Sequence, residues 1–98
     1  MNLTELVKEK NATLIDVREP WELAEGKVSG AMNIPLGEVT GRIEEFRGMD
    51  KPLILFCRSG NRSGMAAAIL QAQGVKDVHN GGAWDQVATA LGQEVTTN

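Results

Sequence analysis

The chain reads as a small α/β domain with a mostly parallel sheet. Three observations predict it. Short apolar, β-branched runs alternate with segments of helical spacing, the order that builds a parallel sheet flanked by helices. One run, Leu53 to Cys57, is apolar without interruption, as a central strand covered on both faces must be. Gly and Pro stand at most of the segment boundaries, where they break regular structure. At 98 residues the chain has room for one core, so a single domain spanning residues 1–98 is expected, with its core over about 3–91 and a frayed tail over 92–98.

Each element follows from local chemistry. Leu3, Leu6 and Val7 have helical spacing, and Asn2 or Thr4 is available as a cap. Thr13 to Val17 is a β-branched, apolar run suited to a buried strand. Pro20 fits the first turn of a short helix that Gly26 ends, so Pro20 to Glu25 is predicted helical. Ala31 to Ile34 is a weak strand closed by Pro35. Val39, Ile43 and Phe46 fall on one helical stripe. Pro52 opens the strand Leu53 to Cys57. Met65 to Gln73 is rich in Ala, Leu and Gln and predicts a helix with Gly74 just past its end. Val75 to His79 predicts a further strand, Gly81-Gly82 a turn, and Ala83 to Leu91 a last helix. Trp21 and Trp84 are expected in the core.

Composition removes several functions. Ten Lys and Arg stand against 13 Asp and Glu, a net charge of -3, which argues against nucleic acid as the main partner, since phosphate contacts need a concentrated basic face. No apolar stretch approaches the ~20 residues of a membrane helix, so no membrane partner is expected. One cysteine allows no intramolecular disulfide. With one Cys and one His, no four-ligand zinc site is expected. Met1 to Leu6 shows no basic start followed by an apolar run. A cytoplasmic protein is the default expectation, and a mature periplasmic chain that had shed its leader would read the same.

The chemistry concentrates in Cys57-Arg58-Ser59-Gly60-Asn61-Arg62-Ser63, between the most strand-like segment and the clearest helix. Sites in such sheets form beyond the carboxyl ends of strands. The strand delivers Cys57 to the sheet edge. Small, turn-prone residues let the backbone curl around the sulfur with N–H groups inward. The following helix adds its positive end, and Arg58 and Arg62 add two positive charges. Each feature lowers a thiol pKa, and together they form an anion site. A nucleophilic sulfur in an anion cradle suits attack on an anionic substrate. An inert buried thiol is the alternative for a cysteine taken at random, but it leaves the two arginines and the glycine turn without a reason. His79 lies at a predicted strand end, and this chemistry does not require it.

This loop resembles the active-site loop of the rhodanese family of sulfurtransferases. Further segments agree in order: Asp16-Val17-Arg18-Glu19 is similar to the family's Asp-x-Arg after its strand, Gly30-Ala31-Met32-Asn33-Ile34-Pro35-Leu36 to its Gly-Ala-x-Asn-Ile-Pro segment, and Asn80-Gly81-Gly82 to its Gly-Gly turn. The matches span Leu14 to Trp84. The resemblance implies a five-stranded, mostly parallel sheet flanked by helices on both faces. It implies a thiosulfate sulfurtransferase that moves sulfane sulfur through a Cys57 persulfide, with Arg58, Ser59, Gly60, Asn61, Arg62 and Ser63 binding the substrate. Asp16 and Arg18 are expected to be a structural pair beside the site, and no cofactor is implied. The partners would be a small anionic sulfur donor and a thiol acceptor, either a small molecule or a thioredoxin-like protein.

Two other functions fit parts of the pattern. A persulfide- or redox-sensing or sulfur-carrier module would use the same acidic thiol. A cysteine-dependent phosphatase or arsenate reductase on a related fold places five residues between its Cys and Arg, whereas only Arg58 to Asn61 separate Cys57 from Arg62. The smaller ring suits a single sulfur atom better than a phosphoryl group.

Overall fold

The computed structural model describes residues 1–95. Its sheet is parallel throughout, in the order β2-β1-β3-β4. The strands are β1 (Thr13–Asp16), β2 (Met32–Asn33), β3 (Leu53–Cys57) and β4 (Val78–Ala83), and the helices are α1 (Leu3–Val7), α2 (Leu36–Val39), α3 (Ile43–Arg47), α4 (Asn61–Ala72) and α5 (Trp84–Ala90). The expected α/β class is present, but the sheet has four strands among the described residues, not five. The residues ahead of β1 are committed to helix: Asn2 accepts the Glu5 amide at 2.9 Å, and the Glu5 side chain accepts the Asn2 amide at 3.3 Å. The stretch between β2 and β3 is helical as well, with a 3-10 turn, Thr40–Arg42, joining α2 to α3.

Strand β3 shows how the sequence builds two cores. All five of its residues are buried, and alternate side chains leave opposite faces of a strand. Leu53, Leu55 and Cys57 join Ile15, Val17, Val39, Phe46, Ala66 and Leu70 on the face covered by α2, α3 and α4. Ile54 and Phe56 join Val7, Trp84, Val87 and Ala88 under α1 and α5. Cys57 therefore points towards α4.

Several boundaries differ from expectation. Strand β4 begins at Val78, not Val75, and runs through Gly81-Gly82, where a turn was predicted. Leu55 pairs with Asn80 but Phe56 with Gly82, so Gly81 is the extra residue of a β-bulge. A Cβ on Gly81 would stand 2.9 Å from Ile54 Cγ2 and 3.3 Å from Val87 Cγ2, so the bulge needs glycine for close approach. Helix α4 starts at Asn61, ahead of the predicted Met65. Trp21 is 73% exposed rather than core, because it lies on the outer side of the 3-10 turn Pro20–Glu25, whereas Trp84 is buried as expected. Part of the segment expected to fray is docked: the Gln93 side chain bonds both backbone groups of Ser29, and Val95 packs on the second core. Residues 96–98 of that segment lie outside the described residues.

Between β1 and the 3-10 turn lies a buried ion pair. Arg18 is 0% exposed and Asp16 2%. Arg18 Nη2 and Nε reach the Asp16 carboxylate at 2.7 and 3.0 Å, Nη2 also donates to Gly26 O at 2.8 Å, and the guanidinium lies 4.8 Å from the centre of the Trp84 ring. Asn33 ties the same turn to β2 by donating to the Asp16 and Arg18 carbonyls at 2.9 and 2.8 Å. Removing one partner of such a pair leaves a buried charge uncompensated. Arg18→Met is expected to cost about 3–5 kcal/mol of stability in urea unfolding; a loss under about 1 kcal/mol, the scale of an exposed pair, would show that the pair is not structural.

Candidate active site

Cys57 ends β3 and is 1% exposed. The chain turns over its sulfur through Arg58 and Ser59 to Gly60, whose φ of 97° is a conformation that favours glycine. A side chain there would also be crowded, since a Cβ on Gly60 would lie 3.3 Å from Gly82 Cα. With Gly60 left-handed, its N–H turns inward and donates to Cys57 Sγ at 3.0 Å. Helix α4 begins immediately afterwards, and the buried Ser63 hydroxyl lies 3.4 Å from Sγ. On the solvent side, Arg58, Ser59 and Asn61 are exposed and Gly60 is half-buried. Two surface hollows among the described residues lie elsewhere, one lined by Leu6, Pro52 and His79 and the other by Leu3, Gln86 and Thr89.

Two opposing effects set the acidity of the thiol. Burial pushes Cys57 up. Hydrogen bonds from the Ser63 hydroxyl and from the amides of Ser63, Ser59 and Gly60 push it down, and the net result is a thiol below its ordinary value. The inward-pointing loop amides expected from the sequence are among the lowering contacts, and the Ser63 hydroxyl joins them.

The arginines divide. Arg58 is exposed, and among the described residues no carboxylate pairs with it. Arg62 turns away from open solvent and grips Glu22 with both amino groups, Nη1 to Oε2 at 2.6 Å and Nη2 to Oε1 at 2.8 Å. Its charge is therefore largely matched by a carboxylate. Asp16 and Arg18 lie behind this contact rather than in the loop: Arg18 Nη1 reaches the Glu22 carbonyl at 3.4 Å. The 3-10 turn is thereby held by Arg18 through its backbone and by Arg62 through its carboxylate.

The structure brings Cys57, Ser59, Gly60 and Ser63 together around the sulfur, puts Arg58 and Asn61 on the solvent side and turns Arg62 to Glu22. Two residues were not picked out as site residues in the sequence. Glu22 is 9% exposed at its side chain and also accepts the Glu19 amide at 2.7 Å; its signal is a Glu in the first turn of a segment opened by Pro20, the pattern of an N-terminal cap. Asn80 donates from Nδ2 to Gly60 O at 3.1 Å and accepts from Ser63 Oγ at 2.7 Å and Gly82 N at 3.0 Å; its signal is Asn ahead of Gly-Gly, the pattern of an Asx turn. His79 is taken up by Asp77, 2.7 Å away, and makes no contact with the loop.

Comparison with known proteins identifies the family. Residues 2–87 match the rhodanese-like domain family. The chain is 45% identical over 71 residues to the uncharacterized protein YqhL of Bacillus subtilis, covering 72% of this chain and 56% of YqhL. It is 36% identical over 76 residues to the thiosulfate sulfurtransferase GlpE of Pseudomonas putida, covering 78% of this chain and 68% of GlpE. A solved structure described as a rhodanese with anions from E. coli superimposes with a TM-score of 0.69 at 35% identity, covering 79% of this chain and 92% of the other. The chain belongs to the rhodanese-like domain family.

The Arg62 contact holds the Glu22 carboxyl down at about 2, from an ordinary 4.5. A carboxyl depressed by folding adds stability above its unfolded pKa and loses it as pH falls through the folded value. Wild-type protein should therefore lose stability between about pH 4.5 and 2 more steeply than Glu22→Gln. Urea unfolding at a series of pH values measures this, and parallel curves would show that Glu22 contributes nothing to the pH dependence.

Proposed function

We propose that this rhodanese-like domain is a thiosulfate-type sulfurtransferase working through a Cys57 persulfide. The Cys57 thiolate attacks the outer sulfur of thiosulfate. A new S–S bond forms, the bond to the sulfonate sulfur breaks, and sulfite leaves with the electron pair. An acceptor thiolate then attacks the terminal sulfur of the persulfide, and the Cys57 thiolate returns. Charge and atoms balance in both steps, and neither needs an outside oxidant or a cofactor.

The observation that carries this reading is the donor set on the sulfur: Gly60 N–H at 3.0 Å and the Ser63 hydroxyl at 3.4 Å, within a loop that closes tightly over one atom. Donors fixed in advance stabilise an anion without reorganisation as the reaction proceeds. They suit the thiolate and, after the first step, the anionic terminal sulfur. The relatives named as sulfurtransferases support the same class of reaction. A phosphatase reading is disfavoured by Arg62, which is engaged by Glu22; phosphoryl transfer needs such a charge directed at the transferring group.

Two outcomes test this. Incubation with thiosulfate should add one sulfur atom to the intact mass of wild-type protein, removable by dithiothreitol, and Cys57→Ser should abolish both the adduct and sulfur transfer to cyanide. A serine variant of near-wild-type activity would remove Cys57 as the nucleophile. The arginines should also separate. Arg58, exposed at the loop, is the residue to meet the distal oxygens of an anionic donor, so Arg58→Ala should chiefly raise KM for thiosulfate, in a salt-sensitive way. Arg62 holds the loop to Glu22, so Arg62→Ala should lower kcat. Equal, purely KM effects at low and high salt would erase the distinction.

A further inference from the structure

Asn80 makes three hydrogen bonds, two of them to the Cys57 loop and one within β4. Its Nδ2 donates to Gly60 O at 3.1 Å, and its Oδ1 accepts both Gly82 N–H at 3.0 Å and the Ser63 hydroxyl at 2.7 Å. The close packing of loop on β4 makes this span possible: a Cβ on Gly64 would lie only 3.1 Å from Asn80 Nδ2.

The Ser63 hydroxyl carries one proton and has two acceptors within reach, Asn80 Oδ1 at 2.7 Å and Cys57 Sγ at 3.4 Å. It cannot donate fully to both. While it donates to Asn80, Oγ presents a lone pair to sulfur, which suits a neutral S–H. A thiolate, already held by the loop amides, is further stabilised when the proton turns towards sulfur, which leaves Asn80 Oδ1 with the Gly82 amide alone. We propose that Asn80 is a positioning residue that decides which way the Ser63 hydroxyl points and thereby how strongly Cys57 is held as a thiolate. The inference rests on the reading of Cys57 as the sulfur-transfer nucleophile, for which that hold matters.

The charged groups around the thiol do not supply the same control. Arg58 is exposed on the loop. Arg62 on α4 is engaged by Glu22 of the 3-10 turn, and His79, next to Asn80 on β4, is engaged by Asp77. Among the described residues none of these side chains hydrogen-bonds Ser63 or Asn80.

The test is the pH dependence of Cys57 alkylation by iodoacetamide in the full chain, for wild type, Asn80→Ala, Ser63→Ala and the double variant. Asn80→Ala frees the Ser63 proton for sulfur, so the midpoint should fall by about one pH unit, tenfold in the thiolate-to-thiol ratio. Ser63→Ala should raise it. In the Ser63→Ala background the Asn80 change should lose its effect. An Asn80→Ala shift of the same size in both backgrounds, an upward shift, or none would overturn the proposal and leave Asn80 a strut for Gly60. If Asn80→Ala does not fold, Asn80→Asp keeps an acceptor and strengthens it. Its upward shift should then be larger with Ser63 present than with Ala at 63, and equal shifts would overturn the proposal. Intact mass after thiosulfate treatment of the same samples separates the two claims. Persulfide without Asn80–Ser63 coupling overturns the role of Asn80 alone, and coupling without persulfide overturns the sulfur-transfer reading alone.

Discussion

The buried contact between Arg18 and Asp16 is the constraint on which the site depends. A guanidinium at 0% exposure is tolerated only where its donors find acceptors. Arg18 finds the Asp16 carboxylate, Gly26 O and Glu22 O. Meeting those demands fixes the path of the chain between β1 and β2. It turns the 3-10 segment back over the end of the sheet and brings Glu22 to Arg62, a neighbour 40 residues away in sequence. Trp84 joins the same arrangement from the other end of the chain: its ring lies under the Arg18 guanidinium and fills the space where a Cβ on Gly26 would stand. The loop after β3 is thus held from outside by an ion pair whose own position is set by a second ion pair in the core.

With the loop fixed, the acidity of the thiol follows from aimed hydrogen-bond donors, the Ser63 hydroxyl and the loop amides, rather than from the arginines. Opposite charge and hydrogen bonding both favour a thiolate, but they differ in what they leave free. A guanidinium placed directly on the sulfur would compete with an anionic donor for the same space. Amides at Ser59, Gly60 and Ser63 hold the sulfur from the protein side. Arg62 is occupied by Glu22, and Arg58 keeps its charge on the solvent side, where a substrate arrives. The division separates the groups that lower the thiol from the charge left facing solvent.

Much of this was legible in the sequence. The unbroken apolar run Leu53 to Cys57 predicted a strand buried on both faces, and Cys57-Arg58-Ser59-Gly60-Asn61-Arg62-Ser63 marked the loop that closes over the thiol. The features that were not legible are all non-local. Strand β4 continues through Gly81-Gly82 because Gly81 fits between Ile54 and Val87, which no local rule for a Gly-Gly pair anticipates. Trp21 is a large aromatic next to Pro20, and only the path of the 3-10 turn decides that it faces solvent. Arg62 reads as an anion-binding charge until its partner appears from another part of the chain. Glu22 and Asn80 look like ordinary cap and turn residues, and nothing at i±4 reveals that one ends on Arg62 and the other on Ser63.

The alternation along β3 explains how the Cys57 thiol can be both buried and acidic. Leu53 and Leu55 share a face with Cys57, so the strand itself delivers the thiol to the α4 side of the sheet rather than to open solvent. Burial alone there would disfavour the thiolate. The same face, however, receives the first turn of α4, whose amides have no partner within the helix, and the left-handed turn at Gly60 points one more amide at the sulfur. The residue after Phe56 in strand register is therefore the place in this sheet where desolvation and a ready set of donors coincide. A residue one position earlier would face α1 and α5 with no such donors, and one position later it would be exposed on the loop. The register of β3 selects the position of the acidic thiol as surely as the identity of its side chain.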